Sequence, residues 1–431
     1  MATLSELLKR FDALPKGNIY IKTIYGKKYH YYQYFDNGKR YTQIVDSGRA
    51  KELLKQIEER KLIKAQINEL QSKRKKTILS NNAKNLTGTV MSGNIPVAEF
   101  ENGKLLWIDD VRAPLSIKRT HGMEQFLNLR VIDMSRTNAR LLKKALNIDI
   151  DEEYKIPLYS YALSISDNYW FKPKFSKLKY NDLVFNNDIF SDTSLKGDLT
   201  VFPYQNSLTP EITTPGSFEK GWKLIDKHWY LYKTGDARKF FSEIFSYKFA
   251  ELIDINTASY EYDGHYIRSK NFAEKYNFEP IAALFMNNED YNYIFDNLLK
   301  IDSKIAKDYI KLIFFDSVIY NVDRHNENLG LLRDRKTGQI ISLAPNFDNN
   351  MALISTVEQL PPPNKDAFIN IFVNFLKSNE TAKNLYKEIA LKEISLDDIK
   401  SIVDSIDIDV DYKDDIPTRV LQRYNYLKQL F

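Results

Sequence analysis

The chain has 431 residues, 43% hydrophobic and 28% charged, with a formal net charge of +5, a globular balance with length enough for two or three cores. It has no cysteine, which excludes disulfides, thiol nucleophiles and thiolate zinc sites together. Its histidines, His30, His121, His228, His265 and His325, include no two at a helical metal-binding spacing, so a histidine zinc site is not expected either. No run approaches about 18 apolar residues, and the N-terminus carries charges where a secretory signal needs its apolar stretch. A cytoplasmic protein with no membrane segment is expected, its chemistry resting on carboxylates, amides, hydroxyls and lysines.

Residues 1–80 hold 18 Lys/Arg against 8 Asp/Glu, a net of +10, and the remainder holds 44 against 49, a net of −5. A basic head on a slightly acidic body predicts an anionic partner for the head, nucleic acid first and an acidic protein surface second. Residues 19–24, 29–34 and 40–45 read as a three-stranded meander, with Gly26 and the pair Asn37-Gly38 as its turns. Tyr20, Tyr29, Tyr31, Tyr32, Tyr34 and Tyr41 stand there among Lys22, Lys27, Lys28, Lys39 and Arg40. Such a surface can stack bases and hold phosphates; tyrosines are also good strand formers that simply cover a small sheet. Residues 48–76 read as a helix with Leu54, Ile57, Ile63, Ile67 and Leu70 on one stripe, interrupted near Arg60. Its last turn, Lys73-Arg74-Lys75-Lys76, places cations where the helix dipole favours them. A helix packed on the meander and a short dimer contact both fit that stripe. The polar stretch 80–86 reads as a linker.

A middle region follows, with short strands at 89–91 and 97–100. A helix over 135–146 is expected to turn Leu141, Leu142 and Leu146 inward and Arg136, Arg140, Lys143 and Lys144 outward. Residues 164–170, polar beside large aromatics, read as a structural turn. From about Thr209 the pattern becomes strand, loop, strand and helix. Helices are then expected at 303–319, 366–377, 381–391, 395–406 and 417–430, Ser395 with Asp397 and Asp398 marking a capped start. The expected domains are 1–80, 81–205, 206–275 and 276–431.

Chemistry concentrates in Asn321-Val322-Asp323-Arg324-His325-Asn326-Glu327-Asn328 and in Ala344-Pro345-Asn346-Phe347-Asp348. The first run is polar directly after an apolar helix. Strands at 329–332 and 340–343, turning at Lys336-Thr337-Gly338, bring Asn328 and Asp348 to one edge. Magnesium takes hard oxygen ligands, few of them from protein, and an Asn amide oxygen with an Asp carboxylate meets that demand. Asp323, five residues before Asn328, is then placed to accept the proton of a hydroxyl, and the same interval occurs in the protein-kinase catalytic loop. Upstream, Thr213-Thr214-Pro215-Gly216-Ser217-Phe218-Glu219-Lys220 fits a phosphate-binding loop in kind. Gly216 allows close backbone approach, and Ser217 and Lys220 can donate to phosphate oxygens. Lys233 ends the strand Trp229-Tyr230-Leu231-Tyr232-Lys233, and Glu243 follows on a helix over 238–252, the pairing by which kinases aim an ammonium at nucleotide phosphates. Tyr266-Ile267-Arg268-Ser269-Lys270-Asn271-Phe272 reads as the strand that would meet adenine, with Arg268 a candidate nucleotide contact.

The Asn321-x-Asp323-x-His325-x-x-Asn328 loop, the Ala344-Pro345-x-Phe347-Asp348 segment, the Thr213-x-x-Gly216-x-x-x-Lys220 element and Lys233 together resemble the HipA-like kinases, bacterial serine/threonine kinases of toxin–antitoxin systems. The likeness covers 209–350 and the helical C-terminus and is weaker over 88–150. Residues 1–80 have no counterpart in it. The resemblance implies an α+β, bilobal protein-kinase-like fold with a small β-rich N-lobe and an α-helical C-lobe, here preceded by the meander and helix. It implies ATP and Mg2+ as cofactors, Asp323 as base with His325 beside it, Asn328 and Asp348 on magnesium, and Lys233 on the phosphates. It further implies a protein substrate, a possible helix-turn-helix antitoxin as partner, and autophosphorylation at Thr213. The best-known members carry serine at that position, and Thr214 is adjacent, so both threonines are candidate acceptors. A catalytically inactive nucleotide-binding regulator and a nucleic-acid-binding regulator are the alternative readings.

Overall fold

A computed structural model describes residues 7, 10–11, 13–24, 27–36, 39–79, 86–148, 152–198 and 207–430. The turns expected at Gly26 and Asn37-Gly38, the linker stretch 80–85 and the side chain of Leu70 lie outside them. The chain divides into two compact units, Met1–Ser80 and Asn81–Phe431. No helix among the described residues is long and apolar enough to cross a membrane.

The first unit is an antiparallel sheet of β1 (Asn18–Ile24), β2 (Lys27–Asp36) and β3 (Lys39–Val45), in that order, followed by the 33-residue α1 (Ser47–Leu79). Strand alternation sends Ile19, Tyr32, Tyr34 and Val45 to one face, where Tyr32 meets Leu53 and Ile57 of α1 in a small core. The helix stripe is Leu53, Ile57, Ile63 and Ile67, all buried, whereas Leu54 is 42% exposed; the expected stripe began one residue late. The interruption at Arg60 has a partner. Its guanidinium lies over the Phe11 ring and donates to the carbonyls of Phe11 and Leu14, the latter at 2.6 Å. Alternation sends Tyr20, Lys22, Tyr29, Tyr31, Arg40 and Ile44 to the other face.

The second unit mixes small antiparallel sheets with many helices. β4 (Gly88–Ser92), β5 (Ile95–Glu101), β6 (Lys104–Ile108) and β7 (Tyr169–Pro173) form a sheet in the order β6-β5-β4-β7. Thus the stretch expected to be a turn at 164–170 ends in a strand whose Tyr169 and Trp170 are fully buried. Between β6 and β7 lie the short helices α2 (Leu115–Thr120), α3 (Glu124–Asn128) and α4 (Ala139–Ala145), and after β7 comes α5 (Ser191–Lys196). A second sheet, ordered β10-β11-β9-β8, is built from β8 (Lys220–Ile225), β9 (His228–Lys233), β10 (Glu261–Tyr262) and β11 (Ile267–Lys270), with α6 (Ala237–Leu252) between β9 and β10. A third joins β12 (Tyr276–Pro280), β13 (Gly330–Asp334) and β14 (Ile340–Leu343). Its β12 carries Glu279, which pairs with the buried Arg333, and Arg333 also donates to the Tyr169 hydroxyl at 3.0 Å and the Ala113 carbonyl at 2.9 Å. Those bonds lock the first and third sheets together.

The helical part comprises α7 (Ala282–Phe285), α8 (Tyr291–Ile301), α9 (Ser303–Ile319), α10 (Ala367–Ser378), α11 (Glu380–Lys387), α12 (Leu396–Asp404) and α13 (Ile416–Lys428). Side-chain caps start five of these helices: Asp290 for α8, Asp302 for α9, Asp366 for α10, Asn379 for α11, and a Ser395–Asp398 capping box for α12. α9 is apolar nearly all round from Leu312 to Ile319 and is buried accordingly. Phe245 and Phe249 of α6, Phe314 and Phe315 of α9 and Tyr424 of α13 stack into one core around it.

Candidate active site

The site begins at the C-terminal end of α9, whose position is fixed from below. Arg423, wholly buried, pairs with Asp366 at 2.6 Å and donates to the carbonyls of Ser317 and Val318 at 2.5 and 2.8 Å, covering the negative end of the helix. Tyr320, at φ 55°, ends the helix in the left-handed region, and the polar run from Asn321 leaves it. Arg324 then braces this run. Its guanidinium makes a bidentate pair with Asp316 at 2.8 and 3.0 Å and donates to the Asn328 and Phe347 carbonyls at 2.6 and 2.9 Å. It also reaches the side chains of Asn346 and Asn349 at 2.6 and 2.8 Å. One buried fork therefore holds the loop of Asp323 and Asn328 and the segment of Asp348 in a single register. Within the loop the Asn321 side chain accepts from the Asp323 N–H at 3.1 Å, and the Asn328 amide nitrogen donates to the Asp323 carbonyl at 3.2 Å. The Asn328 side-chain oxygen, Oδ1, is thereby left available to a hard cation.

Lys233 stands opposite. Its ammonium lies 2.7 Å from Asp348 and 3.6 Å from Glu243 of α6, and Glu243 in turn accepts from the Asn349 N–H at 2.9 Å. Tyr260 closes the group, its hydroxyl accepting from the Asp348 N–H at 3.1 Å and its ring lying under Lys233. Burial opposes ionisation of Asp348, but Lys233, Lys220 and Arg324 outweigh it and hold the carboxyl well below the usual range. Asp348 also sits at φ 62°, a strained backbone of the kind that concentrates at functional sites. Burial lifts the Asp323 carboxyl, with the Asp348 charge adding to the lift against His325, which makes it a better proton acceptor once ionised.

The loop upstream of β8 completes the wall. Gly216 has φ 98°, in the left-handed region that favours glycine, and a Cβ there would displace the Lys220 ammonium. Lys220 and Lys233 are directly paired across β8 and β9 and point to the same side. Two buried lysines abreast repel, and both ion pairs, with Asp348 and Glu243, are made by Lys233. Burial, then the charges of Arg136 and Lys233, pull Lys220 down to about 7, and its ammonium makes no ion pair among the described residues. An anion bound here would relieve both lysines.

These groups face a cavity of about 240 Å³, lined by Asp323, His325, Asn328 and Asp348 on one side and by Gly216, Ser217, Lys220 and Lys233 on the other. Thr213 and Thr214 also line it, but their hydroxyls donate inward to the Pro210 carbonyl at 3.1 and 2.8 Å, and Thr214 accepts from the Trp222 indole at 2.9 Å. Trp222, Leu231 and Asn271 also line the cavity, with Phe272, Phe278 and Phe347, whose rings pack on one another. Glu243 is fully buried behind Lys233 and is a positioning group. Arg268 is not brought to the cavity. It pairs with Glu261 at 2.5 Å and bonds the Tyr232 hydroxyl at 3.2 Å, because its neighbour Ser269 takes the inward position in the strand. Arg136 also departs from expectation. It precedes α4 and is buried, bonded to the glycine loop. Arg324 and Tyr260 were not singled out from sequence, and Ser164, Ser166 and Asp167, read there as part of a structural turn, line the cavity. Among the described residues no three His, Cys, Asp or Glu side chains cluster as a metal site. The Asn328–Asp348 pair offers two oxygens, which fits a cation completed by phosphate and water.

No protein-family model and no curated protein matches the chain. Among solved structures it is similar to the Helicobacter pylori proinflammatory kinase CtkA, at 18% identity over 49% of this chain and 88% of that one, with a TM-score of 0.38. It is also similar to the toxin–antitoxin protein HipA of Shewanella oneidensis MR-1, solved with HipB and its operator DNA, at 12% identity over 80% of this chain and 99% of that one, with a TM-score of 0.47. At such scores neither likeness bears on the chemistry, which rests on the side chains of the cavity.

Proposed function

We propose that the chain is an ATP- and magnesium-dependent, HipA-like protein serine/threonine kinase of bilobal architecture, β8 to β11 with α6 forming the smaller lobe. The observation that carries this is the convergence on one cavity of Lys233 paired with Asp348 and backed by Glu243, the glycine loop with its uncompensated Lys220, and the loop of Asp323 and Asn328. Two buried lysines abreast favour a polyanion, and the aromatic lining that includes Trp222 and Phe347 favours a flat base. Asp323 takes the proton from an attacking hydroxyl as the new bond to the γ-phosphorus forms, and Lys220 and Lys233 hold the phosphate oxygens as the β–γ bridge breaks. Asn328 and Asp348 would hold magnesium, which supplies charge neutralisation across the phosphates. His325 lies beside Asp323 and opposes the lift of its carboxyl.

Autophosphorylation at Thr213 or Thr214 requires the loop to leave its place, since both hydroxyls are committed to Pro210. A protein substrate and a helix-turn-helix antitoxin partner, and a cytoplasmic toxin or regulator role, belong to this reading. Transfer of radiolabelled phosphate from ATP tests it. Magnesium-dependent labelling of the wild type that disappears in Asp323→Asn and Asp348→Asn is expected, and labelling that persists in both variants removes the catalytic assignment.

A nucleic-acid partner for residues 1–80 is part of the same proposal, supported by their net charge of +10 and by Lys22 lying 5.8 and 5.5 Å from the ring centres of the stacked pair Tyr20 and Tyr31. Aromatic rings and cations on one sheet face suit an unpaired strand.

A further inference from the structure

The glycine loop is held from behind by a residue of another element. Arg136, 2% exposed, directs Nε at the Gly216 carbonyl at 2.5 Å and Nη2 at the carbonyls of Thr214 and Pro215 at 2.5 and 2.7 Å. Its neighbour Asn138 takes the other end of the loop, donating its N–H to Glu219 at 3.1 Å. Arg136 itself does not line the cavity, whereas Gly216 and Ser217 do. In a trans peptide the C=O and the following N–H point to opposite sides. Drawing the Pro215 and Gly216 carbonyls toward Arg136 therefore turns the Gly216 and Ser217 N–H groups to the cavity side, as an anion-binding nest requires.

We propose that Arg136 is a positioning residue that sets the shape of the glycine loop, so that the Gly216 and Ser217 N–H groups and the Lys220 ammonium meet the phosphates of a nucleotide. Its charge has a second effect. Burial pulls the guanidinium down only to about 10, so it stays charged at neutral pH. There it disfavours a second cation at Lys220, which Lys233 also opposes and which Asp348 and Glu243 favour. Lys220 accordingly takes up a proton when phosphates arrive. Loop shape and proton uptake both trace to one guanidinium.

This rests on the kinase reading, and ADP binding to the full chain separates the two. In an Asp323→Asn background, where turnover is blocked, calorimetry should show Arg136→Met binding ADP about 10- to 100-fold more weakly than the parent, the scale of one lost charge-assisted hydrogen bond. Arg136→Lys should fall between, since an ammonium cannot span three carbonyls. Titration in buffers of different ionisation enthalpy near about pH 8 should show proton uptake on binding by the parent and its loss in Arg136→Met. In active protein the KM for ATP should rise while kcat at saturation holds within about 2-fold. Equal ADP affinity and equal proton uptake in parent and Arg136→Met would overturn the proposal and leave the kinase reading standing. A parent that binds no ADP would remove both. If Arg136→Met fails to fold, Arg136→Lys decides alone, and ADP affinity equal to the parent would overturn the proposal.

Discussion

The two compact units use cations in opposite ways. Among the described residues of Met1–Ser80 most lie at the surface, in pairs such as Arg10–Glu59, whose side chains are 59% and 45% exposed, and such pairs contribute about 0 to 1 kcal/mol; Arg60, held against Phe11 and Leu14, is the exception. In Asn81–Phe431 the cations that matter are interior. Arg136, Arg324, Arg333 and Arg423 each bind several carbonyl or carboxylate oxygens from distant segments. A surface cation acts through the summed field and tolerates replacement by its like. A buried guanidinium fixes one geometry, and its loss leaves oxygens unpaired. Charge counted along the sequence therefore describes the first unit well and says little about the second.

The sharpest way to break that contrast is at the interior carboxylates. Asp323→Asn should lower phosphate transfer about 10²- to 10⁴-fold, the range for loss of a general base, and Asp348→Asn at least as much, with folding retained in both as judged by circular dichroism. Transfer within about 2-fold of wild type in either variant would show that the buried charges around this cavity serve stability alone.

Next in size is Arg423→Met. It strands the Asp366 carboxylate and the α9 carbonyls in a site where both partners of the pair are 0% exposed, so denaturant titration should report a loss of about 3–5 kcal/mol. Removing Arg10 from its exposed pair should leave the midpoint unchanged. Equal losses from the two would erase the distinction between the units.

How much of this was legible in the sequence follows from the same contrast. Asp323, Asn328 and Asp348 stood out because a polar run directly follows an apolar helix, and the Gly216 loop and Lys233 because phosphate binding needs glycine and a strand-end cation. Arg136 was read as outward because helical periodicity was extended over it, yet α4 starts only at Ala139 and the turn before it buries Arg136 and Asn138 while exposing Ser135 and Thr137. Arg324 binds through groups on three segments that meet only in the fold, and Tyr260 sits in a stretch with no motif. Arg268 was one residue out of phase. The alternation that places Lys233 and Leu231 in the cavity places Ser269 there and sends Arg268 to the face of Tyr230 and Tyr232, so strand pairing would have corrected it.

A smaller effect tests the interior lysine. Lys220 is held at about 7 in the fold against about 10.4 in an unfolded chain. Between those values the unfolded state binds more protons, so the contribution of this group to stability rises with pH across that window and is least below it. Thermal unfolding from about pH 7 to about pH 9 should show that rise relative to Lys220→Met, and bound ADP should flatten it by favouring the protonated form. A wild-type curve parallel to that of Lys220→Met would place the lysine in water rather than in the wall of the cavity.

The smallest expected change is at the surface of the first unit, and it asks whether that unit acts as a field or as a fitted site. Lys22→Gln, Lys27→Gln and Arg40→Gln remove cations that alternation places on the outer sheet face. If an unpaired strand lies there, each should lower the slope of log affinity against log salt by about 0.7, with similar loss for every sequence tested. Tyr31→Ser breaks the stacked pair with Tyr20, whose ring centres are 5.4 Å apart. It should weaken binding by about 1–3 kcal/mol per base unstacked while leaving the salt slope alone. Cations then set the slope and tyrosines the intercept. Were Tyr31→Ser without effect while the cation variants lowered the slope, the tyrosines would be sheet packing and the head a charged surface. An unchanged slope in all three cation variants would mean that the face meets no phosphate backbone, leaving an acidic protein surface as the partner that the charge of the head serves.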